Sequence, residues 1–257
     1  MNNTGFDKGA RYDSTRDAWE AIWSSADVAQ ELEAVNSARS LATIARYARY
    51  LPKEERLLEA GSGLSAVVIK LRQLGYDVVG LDYAENAVRA SLSYDPSLPL
   101  VVGDVHHLPF ADNTFGAYLS FGVLEHFEHG MMPALHEAYR VLKPNGVLVL
   151  TIPYPNVVWR LAQWKREREG RTLNDEAFYE STHTQYQLIG YAKEAGFTIE
   201  EATPTSHDFT LWGLGRAFRA EGYYKTNALA EGLGRVLARL LPWSFNYMTL
   251  LVARAKK

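Results

Sequence analysis

Three acidic residues each close a short apolar run: Glu59 in Leu57-Leu58-Glu59-Ala60, Asp82 in Val78-Val79-Gly80-Leu81-Asp82, and Asp104 after Leu100-Val101-Val102-Gly103. Gly61-Ser62-Gly63 follows the first run at once, and glycine there permits both a tight bend and close approach of a ligand to the backbone. Carboxylates at the ends of successive buried strands accept hydrogen bonds from hydroxyl and amino groups, as a nucleoside offers. Phe121 and Gly122 end a fourth run, and His126 follows with a side chain whose titration range suits proton transfer.

Two ligands fit the glycine turn. Gly61-Ser62-Gly63-Leu64-Ser65-Ala66 matches the dinucleotide fingerprint with alanine in the third glycine position, and Asp82 lies about twenty residues on. A dinucleotide would set an anionic pyrophosphate beside Glu59. S-adenosylmethionine has no phosphate and brings a cationic amino group and a sulfonium, which Glu59 attracts directly or through a water. Asp82 serves the ribose hydroxyls of either ligand, and also suits a helix N-cap. Tyr83 is placed to lie against an adenine. Asp104 can accept from the adenine amino group while the Val105 amide donates to a ring nitrogen. Together the three carboxylates favour S-adenosylmethionine, with an NAD(P)-dependent oxidoreductase and a non-catalytic cofactor-binding domain as the alternatives.

Strands alternating with helices must position these residues. Leu41, Ala45, Ala48 and Leu51 recur at helical spacing in a helical N-terminal segment that Pro52 stops. Strands are then predicted at 57–60, 77–82, 100–102, 115–121 and 147–152. Helices intervene, one carrying Val67, Val68, Leu71 and Leu74 and another carrying Met131, Leu135, Ala138, Tyr139 and Leu142. Continuous apolar strands separated in this way imply an α/β fold with a mostly parallel sheet covered on both faces. A helix over 185–195, a strand over 197–202 and a final strand over 245–253 complete the pattern. The chain reads as a single domain over 1–257, with a helical segment at 1–52, a cofactor-binding half at 53–153, and cap insertions at 154–181 and 206–243.

The motifs Glu59-Ala60-Gly61-Ser62-Gly63, Leu81-Asp82, Gly103-Asp104-Val105 continuing to Phe115, Val123-Leu124-Glu125-His126 and Val141-Leu142-Lys143-Pro144-Asn145-Gly146 occur in one order. In this the chain resembles the class I S-adenosylmethionine-dependent methyltransferases, in particular their UbiE/type-11-like small-molecule branch. The resemblance covers about residues 45–205. It implies a Rossmann-like seven-stranded sheet whose last strand is antiparallel. It also assigns Glu59, Ala60, Gly61, Ser62 and Gly63 to the methionyl moiety, Asp82 to ribose, Gly103, Asp104 and Val105 to adenine, and Phe121 with Gly122 to the methionyl amino end. Ser65 departs from it, standing where a third glycine is usual. Tyr12, Trp19 and Trp23 are expected to fold over the cofactor.

Methyl transfer is an in-line displacement helped chiefly by alignment in a water-poor pocket, and a base assists when the acceptor is a hydroxyl. His126 is the candidate base. The expected acceptor is a small molecule, most simply an oxygen of a sugar, glycan precursor or secondary metabolite. His183 and His207 flank the insertions and are candidates to face it, while His106 and His107 read as an ordinary loop. Tyr154, Trp159, Trp164, Phe178 and Tyr179 in the cap are expected to confer selectivity, with Lys165 to Arg171 as a solvated face. Leu229, Leu233, Val236, Leu237 and Leu240 form a stripe opposite Arg235 and Arg239, expected to pack onto the domain, with a lipid or partner surface as the alternative.

The remaining composition narrows the classes. The chain has no cysteine, which removes disulfides, thiolate metal sites and a cysteine nucleophile. His126 with His129 and Glu125 with Glu128 lack a third ligand at a recognisable spacing, so no metal is expected. The net charge of −3 and the absence of an Asn-Pro-Pro-aromatic loop after the fourth strand speak against nucleic acid. No run of about 18 apolar residues is present to span a bilayer, and no apolar leader opens the chain. A cytoplasmic protein is expected, with homo-oligomerisation left open.

Overall fold

A computed structural model describes residues 15–257 apart from 25, 128 and 170–179, so Tyr12, Glu128, Phe178 and Tyr179 lie outside the described residues. Seven strands form one sheet: β1 (Leu57–Ala60), β2 (Val78–Asp82), β3 (Leu100–Val102), β4 (Phe115–Phe121), β5 (Leu142–Pro153), β6 (Phe197–Thr205) and β7 (Met248–Ala255). Their spatial order is β3-β2-β1-β4-β5-β7-β6. Strands β1 to β5 pair in parallel, while β7 runs antiparallel to both β5 and β6. The expected Rossmann-like sheet with an antiparallel last strand is therefore present.

Alternation along each strand builds two cores, one on each face. Leu57, Val78, Ala117, Val147 and Val149 meet α3 (Ala38–Ala48), α4 (Ala66–Gln73) and α5 (Glu85–Tyr94). Leu58, Leu81, Tyr118, Leu148 and Leu150 meet α6 (Met132–Val141) and α8 (Gln185–Glu194). In front of the sheet lie α1 (Thr15–Ser24) and α2 (Val28–Val35). The late part of the chain adds α7 (Val157–Arg168), α9 (His207–Leu214) and α10 (Ala228–Leu240).

Several helices start where the chain supplies an acceptor for an orphan amide. Asp27, Ser37, Asn156 and Asn227 cap α2, α3, α7 and α10, and Thr184 with Gln187 closes a reciprocal box on α8. Three expectations need correction. The strand expected to begin at 147 begins at Leu142 instead, with a register shift between the Phe115 and Ala117 pairings. The final strand starts at Met248 rather than Phe245. The buried face of α3 carries Ile44 and Tyr47, leaving Leu41 and Ala45 exposed.

Candidate functional site

The strand order reverses beside β1, which has β2 on one side and β4 on the other. Ligands of open α/β sheets bind at the carboxyl ends of strands at such a point. A cavity of about 350 Å³ opens there. Of the predicted cofactor residues, Glu59, Gly61, Ser62, Gly63, Asp82, Tyr83, Gly103, Asp104, Val105, Phe121 and Gly122 line it, as does His126. Ala60 does not. It belongs with Leu58 to the core on the α6–α8 face, and its carbonyl accepts from Ser120 Oγ at 3.0 Å.

The turn after β1 is held to β2 by the amides of Gly61 and Ser62, both donating to the Leu81 carbonyl. Asp82 then clamps it. Its Oδ2 accepts from the Gly63 amide at 2.7 Å and its Oδ1 from the Ala84 amide at 2.9 Å. Burial raises the Asp82 pKa, while these amides oppose the rise. The Tyr83 amide also bonds this carboxylate, so about one of its four lone-pair sites stays open to a ligand. Close approach is built in as well. A Cβ on Gly61, whose φ is +79°, would sit 2.4 Å from Val123 Cγ2, and one on Gly63 would sit 2.7 Å from the Trp23 ring. Ser65 takes the left-handed conformation at φ 58° in place of the usual glycine.

Glu59 is buried, and its Oε2 has no hydrogen-bond partner among the described residues. Burial pushes it well above the usual carboxylate range; the Val68 amide pulls the other way and the charge of Asp82 adds to the rise. A buried acid left without a counter-charge is costly unless something cationic completes it. Asp104 is different. Partial burial raises it, but the amide and Nδ1 of His106, at 2.9 and 2.8 Å from its Oδ1, bring it below the usual range.

Beneath this loop, Arg140 spans Glu137, Asp112 and the carbonyls of Leu108 and Phe110, all within 3.0 Å. Glu137 in turn accepts from the Leu108 amide. That hub fixes the segment between β3 and β4 from below.

The N-terminal helices close the front. Trp19 and Trp23 stack with ring centroids 5.5 Å apart, and Trp19 meets the His126 ring edge-on at 4.8 Å. Both tryptophans line the cavity, as do Glu31 and Val35 from α2. Glu31 is raised by burial against the opposing hydrogen bond from Tyr223 Oη. His126 is buried at the end of a 3-10 turn after β4. Its neighbour Glu125 is also buried, with Oε2 lacking a partner among the described residues. Burial, with Glu180 adding to it, pushes Glu125 up to about 8.

Sequence reasoning missed several cavity residues. His106 is not an ordinary loop residue: it holds Asp104 and packs edge-on against Phe127 at 4.1 Å, and both rings line the cavity. His183 and His207 do not reach it. His183 bonds Ser181 Oγ, and His207 Nε2 bonds the Pro242 carbonyl at 2.8 Å; burial lowers both pKa values. Neither cap insertion contributes a lining residue among those described. Tyr154 instead packs on Trp243, with ring centroids 5.5 Å apart. The lining holds four carboxylates and no lysine or arginine among the described residues. Among the described residues there is no cluster of three or more potential metal ligands and no helix long and apolar enough to cross a membrane.

Comparison with known proteins follows the same line. Residues 58–150 match a family model described as a methyltransferase domain. Over 143 residues the chain is 31% identical to a demethylmenaquinone methyltransferase of Paenarthrobacter aurescens, covering 52% of this chain and 56% of that protein. The chain spans about half the length of such curated relatives, and 33% of a bifunctional one. A chain of the solved complex containing the Haloferax volcanii Trm112 methyltransferase activator superposes with a TM-score of 0.65 at 18% identity, covering 95% of this chain and 98% of that one. A SAM-dependent methyltransferase from Archaeoglobus fulgidus does so with a TM-score of 0.58 at 16% identity, covering 86% and 96%.

Proposed function

We propose, from the premise that this chain belongs to the class I S-adenosylmethionine-dependent methyltransferases, that it methylates a small-molecule acceptor at an oxygen, with His126 as the base. One observation carries the reading: a single cavity gathers Glu59, Asp82 and Asp104 with no lysine or arginine in its described lining. Such a site suits a cationic, phosphate-free nucleoside and would repel a pyrophosphate. When bound, the cofactor supplies an electrophilic methyl group on a sulfonium.

The chain's own residues do the rest. Glu59 and the Gly61–Gly63 turn hold the methionyl part, with Phe121 and Gly122 beside its amino end. Asp82 takes the ribose hydroxyls, and Asp104 and Val105 the adenine edge, with Tyr83 alongside. Because Glu59 carries a raised pKa in the free protein, a cation beside it draws off the proton. Cofactor binding is then expected to release a proton wherever the free protein still holds one on Glu59, and to tighten as pH rises. Trp19 and Trp23 exclude water, and His126 takes the proton from an acceptor hydroxyl.

A second reading, transfer to a ring carbon of a quinol-like acceptor, draws on the aromatic walls Trp19, Trp23 and Phe127 and on the demethylmenaquinone methyltransferases among the relatives. Incubation of the protein with isotopically labelled cofactor and a metabolite extract, followed by mass spectrometry and NMR of the product, separates the two. Label on oxygen, with His126→Asn losing turnover while S-adenosylhomocysteine affinity stays intact, is the expected result. Label on carbon selects the second reading, and unchanged turnover in His126→Asn removes the base. Calorimetric binding of NAD(P) without binding of S-adenosylhomocysteine would overturn both.

A further inference from the structure

Helix α10 is built inside out. Its buried residues are the small ones, Ala230 and Gly234, and a Cβ on Gly234 would stand only 2.8 Å from the Asp208 amide nitrogen of α9. Its large apolar residues, half-buried Leu237 apart, face away: Leu229, Leu233, Val236 and Leu240 are 54, 41, 51 and 69% exposed. At about 100° of rotation per residue these four fall within an arc of about 60°, with Arg235 and Arg239 roughly 110° round from its centre. Scattered exposed leucines are ordinary, but a continuous stripe of them is not.

Helix α7 repeats the pattern from a shared corner, since its first amide donates to the carbonyl of Ser244, just past the end of α10. No described residue of α7 is buried, and Leu161 and Trp164 are 60 and 52% exposed. Together the two helices hold six basic residues and two acidic ones, in a chain whose net charge is −3. Among the described residues Arg235 and Arg239 form no ion pair.

We infer that α7 and α10 form a face that docks on an anionic lipid bilayer, apolar side chains entering the headgroup boundary and basic side chains meeting lipid phosphates. Charge selects this occupant over a second copy of the chain. A two-fold contact through the same surface would set one basic cluster against another, with too few acidic residues to pair them. The long stems of Arg235 and Arg239 can lie along the apolar surface while their heads remain at the headgroup level.

The test is sedimentation of the full chain with vesicles of phosphatidylcholine alone, or of phosphatidylcholine mixed with phosphatidylglycerol. Binding to the mixed vesicles, weakened by salt and poor on phosphatidylcholine, is expected. Arg235→Glu with Arg239→Glu should weaken it at least about thirtyfold, at about 1 kcal/mol for each basic residue removed. Leu233→Ser with Leu240→Ser should weaken it more than tenfold. Because all four positions are exposed, the melting temperature should hold in both variants and separates lost docking from lost folding. Three outcomes overturn the inference: no binding to mixed vesicles, equal binding to both compositions, or a concentration-dependent dimer that the leucine variant dissolves.

Discussion

The strand-end half of the molecule and its α10 helix place large and small residues in opposite ways. In the sheet half, leucine, valine and tyrosine fill both cores, and glycines front the cavity where the Val123 and Trp23 side chains leave no space for a Cβ. In α10 Ala230 and Gly234 are inside, and Leu229, Leu233, Val236 and Leu240 face out. Small residues thus do different jobs: at Gly61 and Gly63 they let the Val123 and Trp23 side chains close on the turn, and at Gly234 they let one helix press on the backbone of another. The contrast shows that a stripe of apolar residues states only that a helix has a sticky face. What meets that face depends on which side fits its neighbour.

The largest expected effect tests how the sheet half tolerates a buried acid without a partner. Glu125 is raised by burial from 4.5 to about 8. Between those values the folded protein keeps a proton that the unfolded chain has released, so stability falls as pH rises through that window. Glu125→Gln mimics the protonated acid and should flatten the decline. By pH 9 its advantage over the parent should have grown by something on the order of 4 kcal/mol. Denaturant unfolding from pH 5 to 9 measures this, and parallel curves for the two proteins would refute it.

Gly61→Ala probes the close packing of the turn in the same half. It adds a Cβ against Val123 at a positive φ, so a stability loss of about 3 kcal/mol is expected, together with loss of S-adenosylhomocysteine binding by calorimetry. A variant that binds normally would show that the close approach is not used. Gly234→Ala asks the corresponding question of α10. Better helix propensity should be outweighed by the clash with Asp208, for a net loss of about 2 kcal/mol in thermal unfolding. A stabilised variant would mean that α10 does not depend on its small inner face.

Ser65→Gly should raise stability by about 1 kcal/mol, because a non-glycine residue holds a left-handed conformation there. A loss would show that the buried hydroxyl outweighs the strain. The smallest effect belongs to the outward stripe. Leu233→Ala should change the unfolding free energy by less than about 0.5 kcal/mol, and a core-like loss would break the comparison outright.

Much of the site was legible before any coordinates. Strands buried on both faces read as continuous apolar runs, so their ends, and the acids on them, could be located. Ala60 could have been set aside too, since side chains alternate along a strand and Glu59 already occupies the cavity side. His106 left a weaker signal: a polar residue two positions after a strand-end acid can turn back onto it, but many loop residues share that spacing. The stripe of α3 was misjudged because Leu41 and Ala45 lie at the same helical spacing as Ile44 and Tyr47. Only the stacking of Tyr47 on Phe121, with ring centroids 5.3 Å apart, shows which side faces inward.

By itself the amino-acid sequence determined the local elements and the residue types at their ends, because periodicity, capping and turn chemistry act over a few neighbouring positions. Tertiary structure alone decided that β1 lies between β2 and β4, bringing Glu59, Asp82 and Gly122 to one cavity; that no described residue of the late insertions lines it; and that α10 turns Leu229, Leu233 and Leu240 outward. Those outcomes rest on contacts between segments far apart in the chain. Shape fit and burial between them choose among arrangements that local preferences leave equal.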